Sequence, residues 1–317
     1  MLNYIYTILS SPNPTVFYLK VLLGLTFLLV IVLSYKKAPM NVTEEGFTQT
    51  EPFVLKRDDA IYDDFYVEVY DGITDTEKRS QAYLKKIIAM TQPTVNNSVF
   101  LDVGSGTGYV VNELKEAGFQ AYGVDKSEAM VEYASKKYPN WKTKHGDVMD
   151  AMYFEKSTFT HILCTYFTVY HIEDKKTFFQ NCYFWMKPHG YLILHLVDRE
   201  KFDTISPIGK PFLLDSPQKY AEKRITDTIV EFDDFQYKSS YKFTEPKIED
   251  KTAILNETFT DKHTKHVRQN ELALHMEDIE TILAAASNAG FVVHGKADFG
   301  NSLGDAHQFI YVLERTL

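Results

Sequence analysis

Three carboxylates give this chain its most specific chemical signal. Asp102 lies in the apolar run Val99-Phe100-Leu101-Asp102-Val103, and Gly104-Ser105-Gly106-Thr107-Gly108 follows. Asp125 closes a second run, Ala121-Tyr122-Gly123-Val124, and Asp147 follows His145-Gly146. Ligands of open α/β sheets bind outside the carboxyl ends of the strands, and an acid ending the second strand can accept both hydroxyls of a ribose. The glycine turn lets backbone N–H groups at a helix N-terminus approach a ligand. A dinucleotide fingerprint is excluded, because Tyr109 stands where its third glycine belongs. After a fourth apolar run, Thr160 to Thr165, come Tyr166, Tyr170 and His171, three candidates for receiving a proton. His263, His266 and His275 lack zinc spacing, and no metal is expected.

The pattern D-x-G-x-G-x-G from Asp102 to Gly108 resembles motif I of class I S-adenosylmethionine (SAM) methyltransferases. The resemblance is to the type 11/25 kind. It implies a turn, Gly104, Ser105, Gly106 and Gly108, running under the methionine part of SAM. Asp102 would face the ammonium group and Asp125 the ribose, with Lys126 and Met130 flanking the adenine. His145-Gly146-Asp147-Val148 resembles the family's "GD" motif, so Asp147 would accept the adenine amino group and Val148 would meet the ring through its N–H. Val69-Tyr70-Asp71-Gly72 with Lys78-Arg79-Ser80-Gln81-Ala82-Tyr83 looks like the N-terminal segment of glycine N-methyltransferases and of enzymes that dimethylate amino sugars. There Arg79 would hold the SAM carboxylate, as a guanidinium suits, and Tyr70 would assist. Lys187-Pro188-His189-Gly190 resembles the family's "LKPGG" turn with one glycine replaced.

These groups need a scaffold. Strand-like and helix-like runs alternate from Val99 to Val197, and the resemblance implies a Rossmann-like α/β sheet of seven strands, mostly parallel, with an antiparallel last strand and helices on both faces. Val110, Val111, Leu114 and Ala117 recur at helical spacing before Gly118, and Ser127 can cap a helix that Pro139 stops. Cys164, Thr165, Tyr166 and Phe167 end the fourth run and are expected to floor the site between cofactor and acceptor. Tyr62, Tyr66 and Tyr70 are spaced for one helix face, read as packing or as a cap over the site. Residues 198–274 carry short β-type segments, read as an antiparallel insertion that shapes the acceptor pocket or an oligomer contact.

The chain has 317 residues and a net charge of −9, which argues against a nucleic-acid partner held by phosphate contacts. Its 2 cysteines make neither a disulfide framework nor a zinc set. Thr15 to Ser34 is apolar apart from Lys20, about the length of a bilayer crossing, and Lys36 and Lys37 follow. The sequence therefore predicts an anchor over 1–37, a linker over 38–56 and a catalytic domain over 57–317. The positive flank places that domain on the cytosolic side of a single-pass membrane protein. The expected activity is methyl transfer from SAM to a small-molecule acceptor, first an amine nitrogen. The alternatives are a hydroxyl, a lipid at the membrane, or a tethered SAM-binding scaffold without chemistry.

Overall fold

A computed structural model describes residues 16–36, 49–140, 143–210, 216–244 and 251–316. The chain divides into two units, Met1–Glu44 and Glu45–Leu317. In the first, helix α1 spans Phe17–Lys36. Leu22, Leu25, Phe27, Leu28 and Leu29 on it are exposed, and the Thr26 hydroxyl turns back onto the carbonyls of Leu22 and Leu23. The expected crossing helix is not supported: among the described residues no helix is long and apolar enough to cross a membrane. Side chains of α1 are described continuously only over 20–29, about half of a crossing, and the remainder of the Thr15–Ser34 stretch lies outside them.

The second unit is built on a seven-stranded sheet. Its strands are β2 (Val99–Val103), β3 (Gln120–Asp125), β4 (Thr143–His145), β5 (Phe159–Cys164), β6 (Met186–Val197), β11 (Phe291–Phe299) and β12 (Asp305–Arg315). The order is β11-β12-β6-β5-β2-β3-β4. Strands β2 to β6 run parallel, and β12 inserts antiparallel between β6 and β11. Alternate side chains feed two cores. Phe100, Leu163 and Ile193 pack with Tyr83 and Ile87 of α3 (Thr76–Thr91) and with Val111 and Leu114 of α4 (Tyr109–Glu116). Leu101, Ile162 and Leu192 face the opposite layer. There lie α2 (Asp64–Ile73), α5 (Glu128–Lys137), α7 (Lys175–Trp185) and α8 (Ile279–Asn288). The short α6 (Thr168–His171) follows β5. His189, at the replaced glycine, adopts φ +60°, the left-handed conformation that the turn would otherwise give to glycine.

The insertion forms a second sheet of five strands, order β1-β10-β9-β8-β7. Strands β7 (Asp227–Glu231), β8 (Phe235–Phe243), β9 (Thr252–Asp261) and β10 (Val267–His275) make an antiparallel meander. Its fifth member is β1 (Phe53–Arg57), which pairs parallel with β10. Residues 53–56, read from sequence as the end of a linker, are thus a strand. Its pairing partner is more than two hundred positions away, so no local period announces it. Residues 58–61 form a 3₁₀ turn, and α2 begins only at Asp64, so the expected single helix through Tyr62, Tyr66 and Tyr70 is broken.

Candidate cofactor and acceptor site

The glycine turn is shaped by close approach. Gly104 has φ +67°, and a Cβ there would lie 2.7 Å from Thr168 Cγ2. The turn is locked from β3: Asp125 Oδ2 accepts the Gly106 N–H at 2.8 Å, and Oδ1 accepts the Ser127 N–H at 2.9 Å. Burial pushes the Asp125 carboxyl above its usual range, and these N–H groups draw it back. Each carboxylate oxygen keeps a free lone-pair direction, so the side chain can still accept hydroxyl groups. Ser127 also caps α5 by accepting the Met130 N–H at 3.1 Å.

Beneath the turn lies a small pocket of about 40 Å³, lined among others by Tyr70, Arg79, Asp102, Ser105 and Tyr166. Asp102 is 3% exposed, and its Oδ1 has no partner. Burial, reinforced by the charge of Asp125, raises its carboxyl well above the ordinary range, against the pull of Arg79. Arg79 is 7% exposed and comes from α3. It donates to the Thr74 carbonyl at 3.1 Å and the Thr76 hydroxyl at 3.3 Å, and its guanidinium lies 3.3 Å from the centre of the Tyr166 ring. Arg79 Nε and Ser105 Oγ are buried without partners. The Arg79 guanidinium and the Asp102 carboxyl line one pocket, yet no ion pair joins them among the described residues. Buried polar groups are ordinarily paired. A carboxylate oxygen, a guanidinium N–H and a hydroxyl left open together suit the ammonium and carboxylate of an amino acid.

This pocket shares Tyr70, Gly104, Gly106, Tyr166 and Thr168 with a cavity of about 560 Å³. Asp125, Lys126, Met130, Asp147 and Val148 line the cavity together with Tyr62, Tyr166 and His171. Lys126 Nζ sits 2.6 Å from Asp59 and 3.7 Å from Asp147. Asp147 Oδ1 accepts the Met149 N–H at 2.9 Å. The His171 side chain is exposed to the cavity, its ring 6.0 Å from that of Tyr62, and the loss of surrounding water within the cavity lowers its pKa to about 4.

Tyr166 and Phe167 hold φ values of +43° and +64°. Non-glycine residues pay strain for this, and such strain persists where surrounding structure enforces it. His195 on β6, fully buried, accepts the Phe167 N–H through Nδ1 at 3.2 Å and meets Gln308 Oε1 through Nε2 at 3.0 Å. Burial pushes its pKa down to about 3, so it stays neutral and keeps Nδ1 free to accept.

The structure thus gathers Tyr70, Arg79, Asp102, Gly104, Ser105, Gly106, Asp125, Lys126, Met130, Asp147, Val148, Tyr166 and His171 around joined cavities. Four expected residues stand elsewhere, and Phe167 is one of them, buried in the core rather than flooring either cavity. Cys164 is fully buried, because its strand parity matches Ile162 and sends it into the core. Tyr170 is also fully buried, and its hydroxyl accepts the Val197 N–H at 2.8 Å. Gly108 serves packing: a Cβ there would come within 3.0 Å of Ala134 Cβ on α5. Asp59, Ser127, Thr168, Glu173 and Asp174 also line the wall, and no motif in the sequence marks them as wall residues. Tyr62 was flagged only through its spacing.

Residues 101–194, from β2 to β6, match the family described as "Methyltransferase domain". No curated protein sequence matches the chain. Among solved structures, a SAM-dependent methyltransferase from Clostridium acetobutylicum ATCC 824 is 16% identical, with 80% of this chain and 98% of that one covered and a TM-score of 0.59. The CcbJ methyltransferase from Streptomyces caelestis is 16% identical, covering 82% and 100%, with a TM-score of 0.60. SAM-bound CalS10, an amino pentose methyltransferase from Micromonospora echinaspora, is 18% identical, covering 80% and 97%, with a TM-score of 0.54. The fold is that of the class I SAM-dependent methyltransferases. The matched domain supports S-adenosylmethionine as the cofactor, and the unpaired atoms of Arg79, Asp102 and Ser105 fit its amino-acid end.

Proposed function

We propose that this protein methylates an amine nitrogen of a small molecule. The observation that carries the reading is the open Nε of Arg79 and the open Oδ1 of Asp102, which form no ion pair with each other, beside a cavity walled by Asp125 and Asp147. When bound, SAM supplies an electrophilic methyl group on a sulfonium. The chain's own task is to orient the acceptor and exclude water. Asp102 and Arg79 hold the amino-acid end, Asp125 the ribose, and Asp147 with Val148 the adenine. Tyr166, strained and stacked on Arg79, and Tyr62 bound the acceptor side. Glu173 and Asp174 add negative charge to the same wall, which favours an acceptor that arrives as a cation. His171, with a pKa near 4, is neutral at pH 7 and can accept a hydrogen bond from the incoming nitrogen. The fold shared with an amino pentose methyltransferase accords with this choice.

The test is incubation of the full chain with methyl-labelled SAM and matched panels of primary amines, their hydroxyl analogues and phospholipids, read by product mass. Label on amines alone supports the reading, label on hydroxyls alone overturns the nitrogen, and no label in a chain that binds SAM supports a scaffold.

One observation favours a lipid acceptor as second reading. Leu22, Leu25, Phe27, Leu28 and Leu29 on α1 are exposed, and the one hydroxyl among residues 21–29, Thr26, is satisfied within its helix. We propose on that basis that α1 tethers the chain to a membrane. Retention of the full chain in membranes through carbonate extraction is the expected result, and release overturns the tether.

A further inference from the structure

We propose that Arg268 of the insertion is a positioning residue for the cofactor cavity, acting through Tyr62; the inference rests on the SAM site proposed above. Arg268 lies on β10 and is 4% exposed. Its Nη1 donates to both oxygens of Asp63 at 2.9 Å, its Nη2 to the Ile61 carbonyl at 2.9 Å, and its Nε to Asn270 Oδ1 at 3.0 Å. The guanidinium also covers the Phe65 ring, 4.8 Å from its centre. One side chain therefore grips the backbone of Ile61 and the side chain of Asp63, the residues on either side of Tyr62. Tyr62 lines the cavity.

The grip leads to the cofactor by two links. Asp63 caps α2 by accepting the Tyr66 N–H at 3.2 Å, and α2 carries Tyr70 to the wall of both pockets. The Tyr62 carbonyl accepts the Ser127 hydroxyl at 2.7 Å, and the Ser127 N–H bonds Asp125, the ribose acid. On the other side, the grip is rooted in the insertion. Asn270 Nδ2 donates to Glu257 Oε2 at 3.3 Å, and the Tyr237 hydroxyl donates to Glu257 Oε1 at 2.8 Å. The segment before α2 is a 3₁₀ turn that ends with a 3.4 Å bond from the Tyr62 N–H to the Asp59 carbonyl, and Tyr62 itself is in an irregular conformation outside the α-helical ladder of α2. Only a guanidinium presents donors in the fork that meets Asp63, Ile61 and Asn270 at once, and a lysine in its place keeps the charge and loses the geometry.

The experiment measures SAM affinity by calorimetry on the full chain, with melting temperature alongside, for Arg268→Lys, Asp63→Asn, Tyr62→Ala and the double variant Arg268→Lys/Tyr62→Ala. Asp63 is one-third exposed and breaks the same bond from the outer side, so it remains informative if Arg268→Lys does not fold. Arg268→Lys and Asp63→Asn are each expected to weaken SAM binding about tenfold, within the span of coupled neighbours. In the Tyr62→Ala background Arg268→Lys should cost less than it does alone, because the share carried by the Tyr62 ring is already gone while the links through the Tyr62 carbonyl and Asp63 remain. A lower melting temperature with unchanged affinity in the folded single variants, or losses that simply multiply in the double variant, overturns the proposal. Absence of SAM binding in the unaltered chain refutes the cofactor site itself, which is a different result from a normal affinity in the variants.

Discussion

Replacing Asp102 by asparagine should make the ligand-free protein more stable and the SAM complex weaker. Asp102 is 3% exposed with an unpartnered oxygen, and its carboxyl is raised well above the usual range, chiefly by burial. A carboxyl raised on folding binds its proton more tightly in the native state, so its contribution is favourable at low pH and is lost as pH rises through the folded value. The cost of Asp102 therefore grows as pH rises from the unfolded value toward the raised folded value, and asparagine, which does not ionise, escapes it. An uncompensated buried polar group costs about 1–3 kcal/mol. With an unfolding entropy of about 2.1 cal/mol/K per residue, a domain of this size gains about 2 °C per kcal/mol, so Asp102→Asn should melt about 2–5 °C higher at pH 7. The gain should shrink as pH falls and Asp102 takes up its proton. The amide cannot offer a full negative charge to an ammonium. A charge-assisted hydrogen bond worth about 1.5–3 kcal/mol corresponds to SAM binding weaker by about tenfold to a hundredfold. Calorimetric melting from pH 5 to pH 8, with and without SAM, together with titration of SAM at pH 7, measures both effects. A variant that melts lower at pH 7 and binds SAM unchanged would refute the reasoning on both counts.

Asp125→Ala removes the group that holds the glycine turn through Gly106 and faces the ribose; SAM affinity should fall about thirtyfold or more in a folded variant, and unchanged affinity in titration would remove Asp125 from the site. His171→Gln should spare SAM binding and slow single-turnover transfer. Because His171 titrates near 4, any rise of rate with pH between 6 and 9 belongs to the acceptor and should keep its midpoint in the variant. His195 is depressed on folding to about 3, so its contribution to stability is present above about pH 6.5 and is lost as pH falls toward the folded value. Urea unfolding at pH 7 and pH 4.5 should show a loss that is about 2 kcal/mol smaller in His195→Gln, the remainder coming from His161 and His171, both depressed to about 4, and an equal loss in the variant would reject the assignment.

What could be read in advance is what is written locally. The acids at Asp102, Asp125 and Asp147 follow short apolar runs, and strand, turn and acid lie within a few residues of each other, so their convergence needs only the order of the sheet. Side-chain parity was the first point of failure. Cys164 sits at the right strand end but on the face shared with Ile162, and Tyr170 is one helical step from His171, which turns it into the core. Long-range pairing was the second. Strand β1 exists because β10 offers it an edge, and Arg268 reaches Asp63 across 205 positions. No period, cap or turn signal in residues 53–63 contains that information. The insertion strands themselves were legible because β8, β9 and β10 alternate in burial along their length.

The placement of Arg79 and Asp102 carries more than either residue does alone. A guanidinium and a carboxyl buried in one pocket would lower the energy of the empty protein most by meeting as an ion pair, since a paired buried charge costs far less than an isolated one. The fold prevents it by giving Arg79 other partners, the Thr74 carbonyl, the Thr76 hydroxyl and the face of Tyr166. Tyr166 is available as that partner only because it accepts a left-handed backbone, and that backbone is held by His195 from β6. The strained backbone of Tyr166 and the open oxygen of Asp102 are each destabilising in isolation, and both residues line the same small volume. Such convergence is explained by a ligand that brings both missing partners on one molecule, an ammonium for Asp102 and a carboxylate for Arg79. A ligand with only one of the two groups would leave the other charge buried and open, so SAM or S-adenosylhomocysteine should bind far more tightly than adenosine, which offers neither.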